Sequence, residues 1–330
     1  MSDAWRALTA ESALEPDIPL CDPHHHLWEY PGSRYLADDF VGEFAGHRIE
    51  HTVFVECLQH YRTDGPEPLR PVGETEWVEE VARGTDRIAD GPRLAAGIVA
   101  FADLTLGAAV GEVLDAHLAA SRRVRAVRYA TAWDASEQIR PSHTHPPAGL
   151  MGRADFRAGF SELIRRDLAF DAWLYPAQFG ELASLAGDFP EARIVLDHMG
   201  GPLGVGPYAG RRQAVLDDWR RGLETVAARP NVFVKLGGQT MTSAGFGWHK
   251  RPAPPGSVEL SDAFRPYFDA CIELFGASRC MLESNFPMDR ASCSYGVLWN
   301  AFKRVTSGRP RIERLALLGG TAMNFYRLSR

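Results

Sequence analysis

Runs of strand-forming residues alternate with helical segments along most of the chain, and this rhythm restricts the fold more than any other feature. Eight short runs rich in Val, Ile, Leu, Phe and Ala are strand candidates: residues 18–26, 51–58, 93–101, 124–131, 168–176, 193–200, 231–238 and 279–287. Between them, segments such as 73–89, 106–121, 156–167 and 214–229 carry apolar residues three and four positions apart, which is typical of amphipathic helices. Strands that alternate with helices pair in parallel, so eight such units predict an α/β fold, a single closed (β/α)8 TIM barrel.

An open, doubly wound sheet is the alternative fold, but the G-x-G-x-x-G turn that would follow its first strand is missing. With 330 residues, 45% of them hydrophobic, the chain can bury a large core. We expect residues 1–17 to form an N-terminal extension and residues 18–330 to form the barrel. The segments after strands 1, 2, 4 and 7 exceed the usual short loop and should shape a pocket: 27–50, 59–72, 131–154 and 238–258.

Composition excludes several classes of function. A net charge of -6 and the lack of a basic stripe with interleaved aromatic residues argue against a nucleic-acid partner. We find no apolar stretch long enough to span a membrane, and the acidic N-terminus does not resemble a signal peptide, so we expect a cytoplasmic protein that does not bind membranes. The five cysteines are widely spaced and are expected to be buried thiols. A homo-oligomer is possible.

Polar residues stand at the carboxyl ends of six strand candidates, where a barrel of this kind collects its chemistry. They are His24, His25 and His26, then Glu56, Arg128, His198, Lys235, and finally Glu283 with Asn285. Side chains alternate along a strand, so His24 and His26 should share a face while His25 points the other way. The remaining histidines, among them His47, His51, His117 and His143, carry no spacing signal and are expected in loops or at the surface.

The histidines support two kinds of chemistry. His24 and His26 can share a metal ion or polarise one carbonyl, and His198 could complete a site of three nitrogen ligands. A single histidine near a strand end is more often a hydrogen-bonded structural residue, but the H-x-H pair together with a later strand-end histidine favours function. We interpret His25 as structural.

The charged residues at the same rim have two readings. Taken together, Glu56, Arg128 and Lys235 favour the binding of an anionic small-molecule substrate. Any one of them alone could equally belong to a buried ion network that stabilises the barrel mouth. Aromatic residues on the long loops, Trp133 among them, could close over a substrate ring, although packing against the barrel is at least as common for such residues.

These residues also carry a family resemblance. "CDPHHHLW" resembles the D-x-H-x-H-L-W opening of the amidohydrolase-2 group, and "VRAVRY", "IVLDHMGGP", "NVFVKLGG" and "CMLESNFPMD" resemble its later strand segments in the same order. The resemblance covers most of residues 18–328 and implies a TIM-barrel metal-dependent hydrolase similar to sugar lactonases and 2-pyrone-4,6-dicarboxylate lactonase. It assigns His24, His26 and His198 to the family histidines, and Arg128 to the arginine that holds a substrate carboxylate or lactone carbonyl.

One departure from the family pattern concerns the base that activates water. Many relatives have a Ser-Asp pair after the last strand, whereas this chain has Ser284-Asn285, and an amide does not accept a proton at neutral pH. Strand alternation places Glu283 on the same face as Asn285, and Asp289 lies in the loop just beyond. Glu283 and Asp289 are the leading candidate bases, Glu56 is a third, and Asn285 could bind substrate or metal through its carbonyl oxygen.

The resulting prediction is a hydrolase that opens a lactone ring of a small carboxylated or sugar-derived substrate by adding water. Its cofactor would be one divalent metal held by His24, His26 and His198, with zinc favoured, although histidines acting as hydrogen-bond donors would permit a metal-free reaction. A metal-dependent decarboxylase of an unsaturated carboxylic acid and a non-catalytic ligand-binding barrel are the alternatives.

Overall fold

The fold is a barrel of eight parallel strands, seen in a computed structural model that describes residues 2–88 and 91–328. We number the barrel strands in chain order, and each pairs with the next. They are β1 (Leu20–His25), β2 (Ile49–Val55), β3 (Arg93–Ala100), β4 (Val124–Arg128), β5 (Ala169–Ala172), β6 (Ile194–Leu196), β7 (Val232–Leu236) and β8 (Cys280–Leu282). The predicted α/β class and the single TIM barrel are confirmed.

The barrel closes between its first and last strands through main-chain hydrogen bonds just beyond β8. The Asn285 N–H donates to the His24 carbonyl oxygen at 2.9 Å, and the His26 N–H donates to the Phe286 carbonyl oxygen at 2.8 Å. The end of β1 that carries the histidines is therefore joined directly to the segment that follows β8.

Side-chain alternation along the strands divides the core into two layers. Val53 and Val55 of β2 belong to a cluster inside the barrel, while Phe54 between them packs in the outer layer against the helices. The C-terminal segment closes the amino end of the barrel, because Phe325 and Tyr326 join the inner cluster. The other end of the barrel is left to the loops that follow the strands.

Helices surround the barrel. In chain order they are Asp3–Ala7, Ala37–Gly42, Val72–Thr85, Val110–Ala120, Ala154–Arg165, Phe179–Asp188, Arg212–Ala227, Ser257–Phe275, Tyr295–Thr306, Arg311–Leu315 and Thr321–Phe325. Each of the four helical segments predicted above overlaps one of the longer helices, three of which begin one or two residues earlier than predicted. The predicted end of the first segment, at residue 89, lies outside the described residues. Among the described helices, none is both long enough and apolar enough to cross a membrane.

The long connections lie where the sequence predicted them, and they have some structure of their own. The one after β1 contains an antiparallel hairpin, Trp28–Tyr30 paired with Ser33–Tyr35. A further long connection, residues 197–211 after β6, was not predicted. Strands β6 and β8 are shorter than their predicted runs, so His198, Glu283 and Asn285 lie just beyond strand ends.

The N-terminal segment packs along the barrel rim. The Glu11 carboxylate accepts hydrogen bonds from Ser257 and Asn300, and the Lys303 ammonium donates to the Leu14 and Glu15 carbonyl oxygens. The division into residues 1–17 and 18–330 stays a prediction.

The prediction for the scattered histidines was wrong for His51 and His117, which are buried in a strand and a helix, whereas His47 is buried but lies in a loop as expected. His117 on its helix bonds to Thr75 and to the Phe101 carbonyl oxygen. The cysteines are free thiols, all buried except Cys57, which is partly exposed.

Candidate active site

The two histidines at the end of β1 meet inside the barrel mouth. His24 Nε2 and His26 Nε2 lie 3.3 Å apart, and both side chains are buried. His26 Nδ1 lies 2.7 Å from the Val55 carbonyl oxygen, which can only accept a hydrogen bond, so its proton sits on Nδ1 and its Nε2 lone pair faces His24. Burial, together with Lys235 beside His24 and Arg128 beside His26, lowers the pKa of both imidazoles well below the usual value. Both rings are therefore neutral at pH 7.

His25 points out of the barrel, as strand alternation requires. Its Nε2 lies 2.9 Å from the Thr52 hydroxyl, and its ring stacks on Phe40 with centroids 4.4 Å apart. Its surroundings are those of a core residue between the barrel and the hairpin connection.

Glu283 bridges two of the site histidines. Its Oε1 lies 2.6 Å from His198 Nδ1 and accepts the His198 main-chain N–H at 3.0 Å, while its Oε2 lies 2.9 Å from His24 Nδ1. Burial would raise the pKa of this carboxyl, but the contacts with His198 and His24 outweigh it and hold the pKa at about 2. Glu283 is therefore a fixed anion that orients two imidazoles.

The alternation argument used for Glu283 and Asn285 does not hold, because β8 ends at Leu282 and Asn285 adopts a left-handed backbone with φ of 55°. Two glycines after β7 make room for this arrangement. A Cβ on Gly237 would overlap Glu283, and one on Gly238, which has φ of 70°, would stand 2.7 Å from the His198 ring. The loops after β6, β7 and β8 can thus approach one another only because two glycines follow β7.

Arg128 at the end of β4 is bound by Glu56 at the end of β2. Its Nε donates to Glu56 Oε1 at 2.7 Å and its Nη2 donates to the Glu56 carbonyl oxygen at 2.7 Å. Only Nη1 remains, 3.4 Å from His24 Nε2. Glu56 Oε2 is buried and has no hydrogen-bond partner among the described residues, with His143 Nε2 of the β4 connection 3.6 Å away.

Lys235 lies deeper in the barrel and belongs to an ion network that the sequence did not reveal in full. Its Nζ lies 2.6 Å from Asp171 Oδ2, 3.0 Å from Asp197 Oδ1 and 3.1 Å from His24 Nδ1. Burial would lower the pKa of the ammonium, but the two aspartates raise it above its ordinary value. The Tyr326 hydroxyl also donates to Asp171 Oδ2, at 2.7 Å. The buried ammonium thus lies between two carboxylates and an imidazole.

Asp289, in the loop after β8, is a buried carboxyl of a different kind. Its Oδ1 accepts a hydrogen bond from the Thr240 hydroxyl, whereas its Oδ2 has no hydrogen-bond partner within residues 2–88 and 91–328. Burial raises its pKa to about 7, against the opposing effects of Thr240 and His198. Two carboxyls of one site, Glu283 and Asp289, therefore have pKa values on opposite sides of their ordinary range.

Two indoles contact the site histidines: Trp28, which lies on a long connection as predicted, and Trp173, which the sequence analysis did not single out. Trp133 lies half-buried in the β4 connection, where its main-chain N–H donates to Gln178. Trp173 instead contacts the His198 ring, with centroids 4.8 Å apart, and Trp28 stacks near His26 at 6.3 Å. Trp173 lies within the predicted strand run 168–176, one residue past the observed end of β5, and an aromatic residue near the end of a strand run was the available signal.

A family model for amidohydrolases matches residues 21–328 of this chain, the region that holds the entire barrel and its mouth. The chain belongs to the amidohydrolase family. Enzymes of this family act on small-molecule substrates, and the predictions of an enzyme and of a hydrolase are confirmed.

Individual proteins similar to this amidohydrolase extend the comparison. The uncharacterized protein y4mH of Sinorhizobium fredii is 32% identical over 337 residues, covering 94% of this chain and 99% of that protein. An L-fucono-1,5-lactonase of Burkholderia ambifaria is 32% identical over 173 residues, covering 51% of this chain and 53% of the lactonase. A crystal structure of an amidohydrolase from Burkholderia multivorans with bound zinc has a TM-score of 0.72 at 23% identity, covering 94% and 99% of the two chains, which shows a shared fold.

The amidohydrolase mouth has a donor set that fits a divalent cation. Nitrogen ligands 2.0–2.1 Å from a tetrahedral zinc lie about 3.3–3.4 Å from each other, and His24 Nε2 and His26 Nε2 are 3.3 Å apart. The Nδ1 atoms of both rings are held by Glu283 and the Val55 carbonyl oxygen, the kind of partner that orients metal-binding histidines.

A second combination, of His24, His198 and Glu283, also brings three ligand atoms within 4.8 Å of one another. The contacts inside this group are 2.6 and 2.9 Å, which are hydrogen-bond lengths and shorter than the separation of two ligands on one metal. These lengths favour Glu283 as a residue that orients the histidines, and they leave the Nε2 atoms of His24 and His26 as candidate metal ligands.

Proposed function

We propose that this amidohydrolase opens the ring of a neutral, hydroxyl-bearing lactone by adding water to its carbonyl carbon. The observation that carries the proposal is the pair of carboxyls with divergent pKa values beside a histidine cluster, since such pairs mark acid and base roles in hydrolytic sites. The similarity to L-fucono-1,5-lactonases over about half of each chain supports a sugar-derived lactone.

Asp289 is the proposed base. A base that works near neutral pH needs a pKa close to the working pH and a free lone pair, and Asp289 has a pKa of about 7 and an unpaired Oδ2. Glu283 has a pKa of about 2, with its Oε1 bonded to His198 and its Oε2 2.9 Å from His24 Nδ1, so it takes up protons poorly. The different pKa values of the two candidates therefore support Asp289.

Polarisation of the lactone carbonyl is the task of the neutral histidines and Arg128. The Nη1 of Arg128, which does not contact Glu56, lies 3.4 Å from His24 Nε2, so both groups face the same point in the mouth. A divalent cation held by the Nε2 atoms of His24 and His26, together with His198, would supply a Lewis acid there, and zinc is supported by the zinc-bound structural neighbour. Asn285 and Trp133 remain proposed substrate contacts, as does Glu56.

The charges around the mouth favour a neutral substrate over the anionic one expected from the sequence. Glu56 binds two of the three nitrogens of the Arg128 guanidinium, and the buried Lys235 ammonium is paired with Asp171 and Asp197. Neither residue therefore offers the bidentate contact that a substrate carboxylate prefers. The unpaired Oε2 of Glu56 is an acceptor that would bind a hydroxyl and repel an anion.

The test is a panel of cyclic esters and acids assayed in parallel for proton release and for carbon dioxide release. The panel contains 1,5- and 1,4-lactones of aldonic acids, unsubstituted lactones of the same ring size, and 2-pyrone-4,6-dicarboxylate. We expect proton release with hydroxylated neutral lactones, at a kcat/KM on the order of a hundredfold above that for the dicarboxylate. Carbon dioxide release, or a preference for the dicarboxylate, would contradict the proposal.

A further inference from the structure

Five rings form a continuous row through the mouth of the barrel. From one end the row runs Trp28, His26, His24, His198, Trp173, and successive ring centroids are 6.3, 5.0, 4.5 and 4.8 Å apart. The three imidazoles in the middle are buried, whereas the two indoles at the ends are half-buried. Each end of the row therefore presents an indole that is only partly covered by the protein.

Both indoles are held in place by contacts that do not involve the histidines. Trp28 begins one strand of the hairpin in the β1 connection, where it pairs with Tyr35, and its Nε1 donates to the Ser33 hydroxyl at 3.0 Å. Because the hairpin fixes both the main chain and the indole nitrogen, this end of the row is preorganised for binding.

Trp173 is fixed from the opposite side of the mouth. Its carbonyl oxygen accepts the Thr131 N–H at 2.8 Å, and its ring meets Tyr175 with centroids 5.6 Å apart. Gly201, with φ of 50°, lies beneath the indole so closely that a Cβ there would stand 2.6 Å from Trp173 Cη2. The glycine is thus needed for the indole to occupy this position.

We propose that Trp28 and Trp173 are the residues that select a saturated six-membered ring for this site, by packing against its C–H faces while the histidines contact its carbonyl. This inference rests on the proposed function. A saturated, hydroxyl-bearing ring has apolar C–H groups on its faces and hydroxyls at its edge, so two indoles that bracket it leave the hydroxyls free for buried polar groups such as Glu56 Oε2. The indoles would act in binding and not in proton transfer.

The experiment compares Trp28→Ala, Trp173→Ala, Trp28→Phe and Trp173→Phe with Trp77→Phe as the matched control, because Trp77 stacks on His60 outside the row. D-glucono-1,5-lactone and unsubstituted δ-valerolactone are the probes. Steady-state kinetics are measured alongside quenching of tryptophan fluorescence by each probe, which reports binding whether or not the probe is hydrolysed.

We expect each alanine variant to raise KM for gluconolactone about five- to tenfold with kcat changed less than about twofold, and each phenylalanine variant to recover most of the loss. Quenching should weaken in the Trp28 and Trp173 variants and persist in Trp77→Phe. Unchanged KM and quenching in both alanine variants would overturn the inference. A fall in kcat at constant KM would also overturn it, because it would show that Trp173 positions His198 and does not bind the ring. Quenching by gluconolactone without hydrolysis would uphold the indole site and defeat the proposed reaction, whereas wild-type protein that neither binds nor hydrolyses either probe would defeat both.

Discussion

Replacing Asp289 by Asn should stabilise the protein while removing its activity. The carboxyl is buried, its Oδ2 is unpaired, and its pKa is about 7, so at alkaline pH the fold holds an anion in an unfavourable environment. Asn keeps the shape and still accepts the Thr240 hydrogen bond through its Oδ1, but it carries no charge and is not a base.

The magnitude follows from the pKa. A carboxyl with a pKa near 7 in the fold and 3.8 when unfolded binds more protons in the folded state. Its contribution to the free energy of unfolding therefore falls as pH rises from about 4 to about 7, and it destabilises the fold most above pH 7. The difference corresponds to an upper limit of about 4 kcal/mol. Asp289→Asn should recover about 1–4 kcal/mol of unfolding free energy at pH 8.5 and close to none at pH 4.

Urea unfolding of the wild type and Asp289→Asn at pH 8.5 and pH 4 tests the stability prediction, and kcat/KM measured on the best lactone tests the prediction for activity. The rate should fall by roughly two to four orders of magnitude, and the wild-type rate should rise with pH to a plateau above about pH 7, where the base is ionised. Ser292→Ala, a change of a buried residue in the same loop, is the control for general effects on that loop. Equal stability of wild type and variant at both pH values, or a fully active variant, would refute the reasoning.

Four further predictions follow from the same geometry. His24→Ala should lower kcat on the order of a hundredfold or more while the protein stays folded. His25→Ala loses the contacts with Thr52 and Phe40 and should lower stability more than kcat. Circular dichroism and steady-state kinetics measure the two effects. The pKa of Glu283 is lowered in the fold, so its carboxylate should stabilise the protein by about 3 kcal/mol above about pH 4.5 and lose this effect as pH falls towards 2. Glu283→Gln should therefore make stability less dependent on pH in this acid range. An unchanged pH dependence of stability would contradict the role of Glu283 as a buried anion. Asn285→Asp adds a carboxyl beside the Asp289 loop and should move the acid limb of kcat/KM to higher pH, whereas a higher rate at unchanged pH dependence would argue that position 285 takes the base role. Removal of metal by a chelator should lower kcat and zinc should restore it; full activity at less than about one-tenth equivalent of metal, measured by atomic emission, would assign carbonyl polarisation to the imidazoles alone.

The sequence predicted the fold and one part of the candidate site well, for a physical reason. The strand–helix rhythm is a local signal, and the two-residue spacing of His24 and His26 places them on one face of β1 whatever surrounds them. The same local logic failed at Asn285, because β8 ends at Leu282 and a left-handed residue turns the chain. Alternation holds only while the strand lasts.

The remainder of the site depends on contacts between distant segments. Asp171 and Asp197 each interrupt an apolar strand run, a signal that a charge points into the barrel, yet only the structure reveals Lys235 between them. The separation of Glu283 from Asp289 rests on burial and hydrogen bonds that no spacing reveals. The contact of Arg128 with Glu56, which supports our proposal of a neutral substrate, is likewise a tertiary contact.

Ring opening of the best lactone in water enriched in oxygen-18 tests the central claim most directly. A single turnover with enzyme in excess, analysed by mass spectrometry, locates the oxygen that comes from water. Addition of water to the carbonyl carbon predicts one heavy oxygen in the product carboxylate and none in the released hydroxyl group. Heavy oxygen in the hydroxyl group, or a product that has lost carbon dioxide, would contradict it.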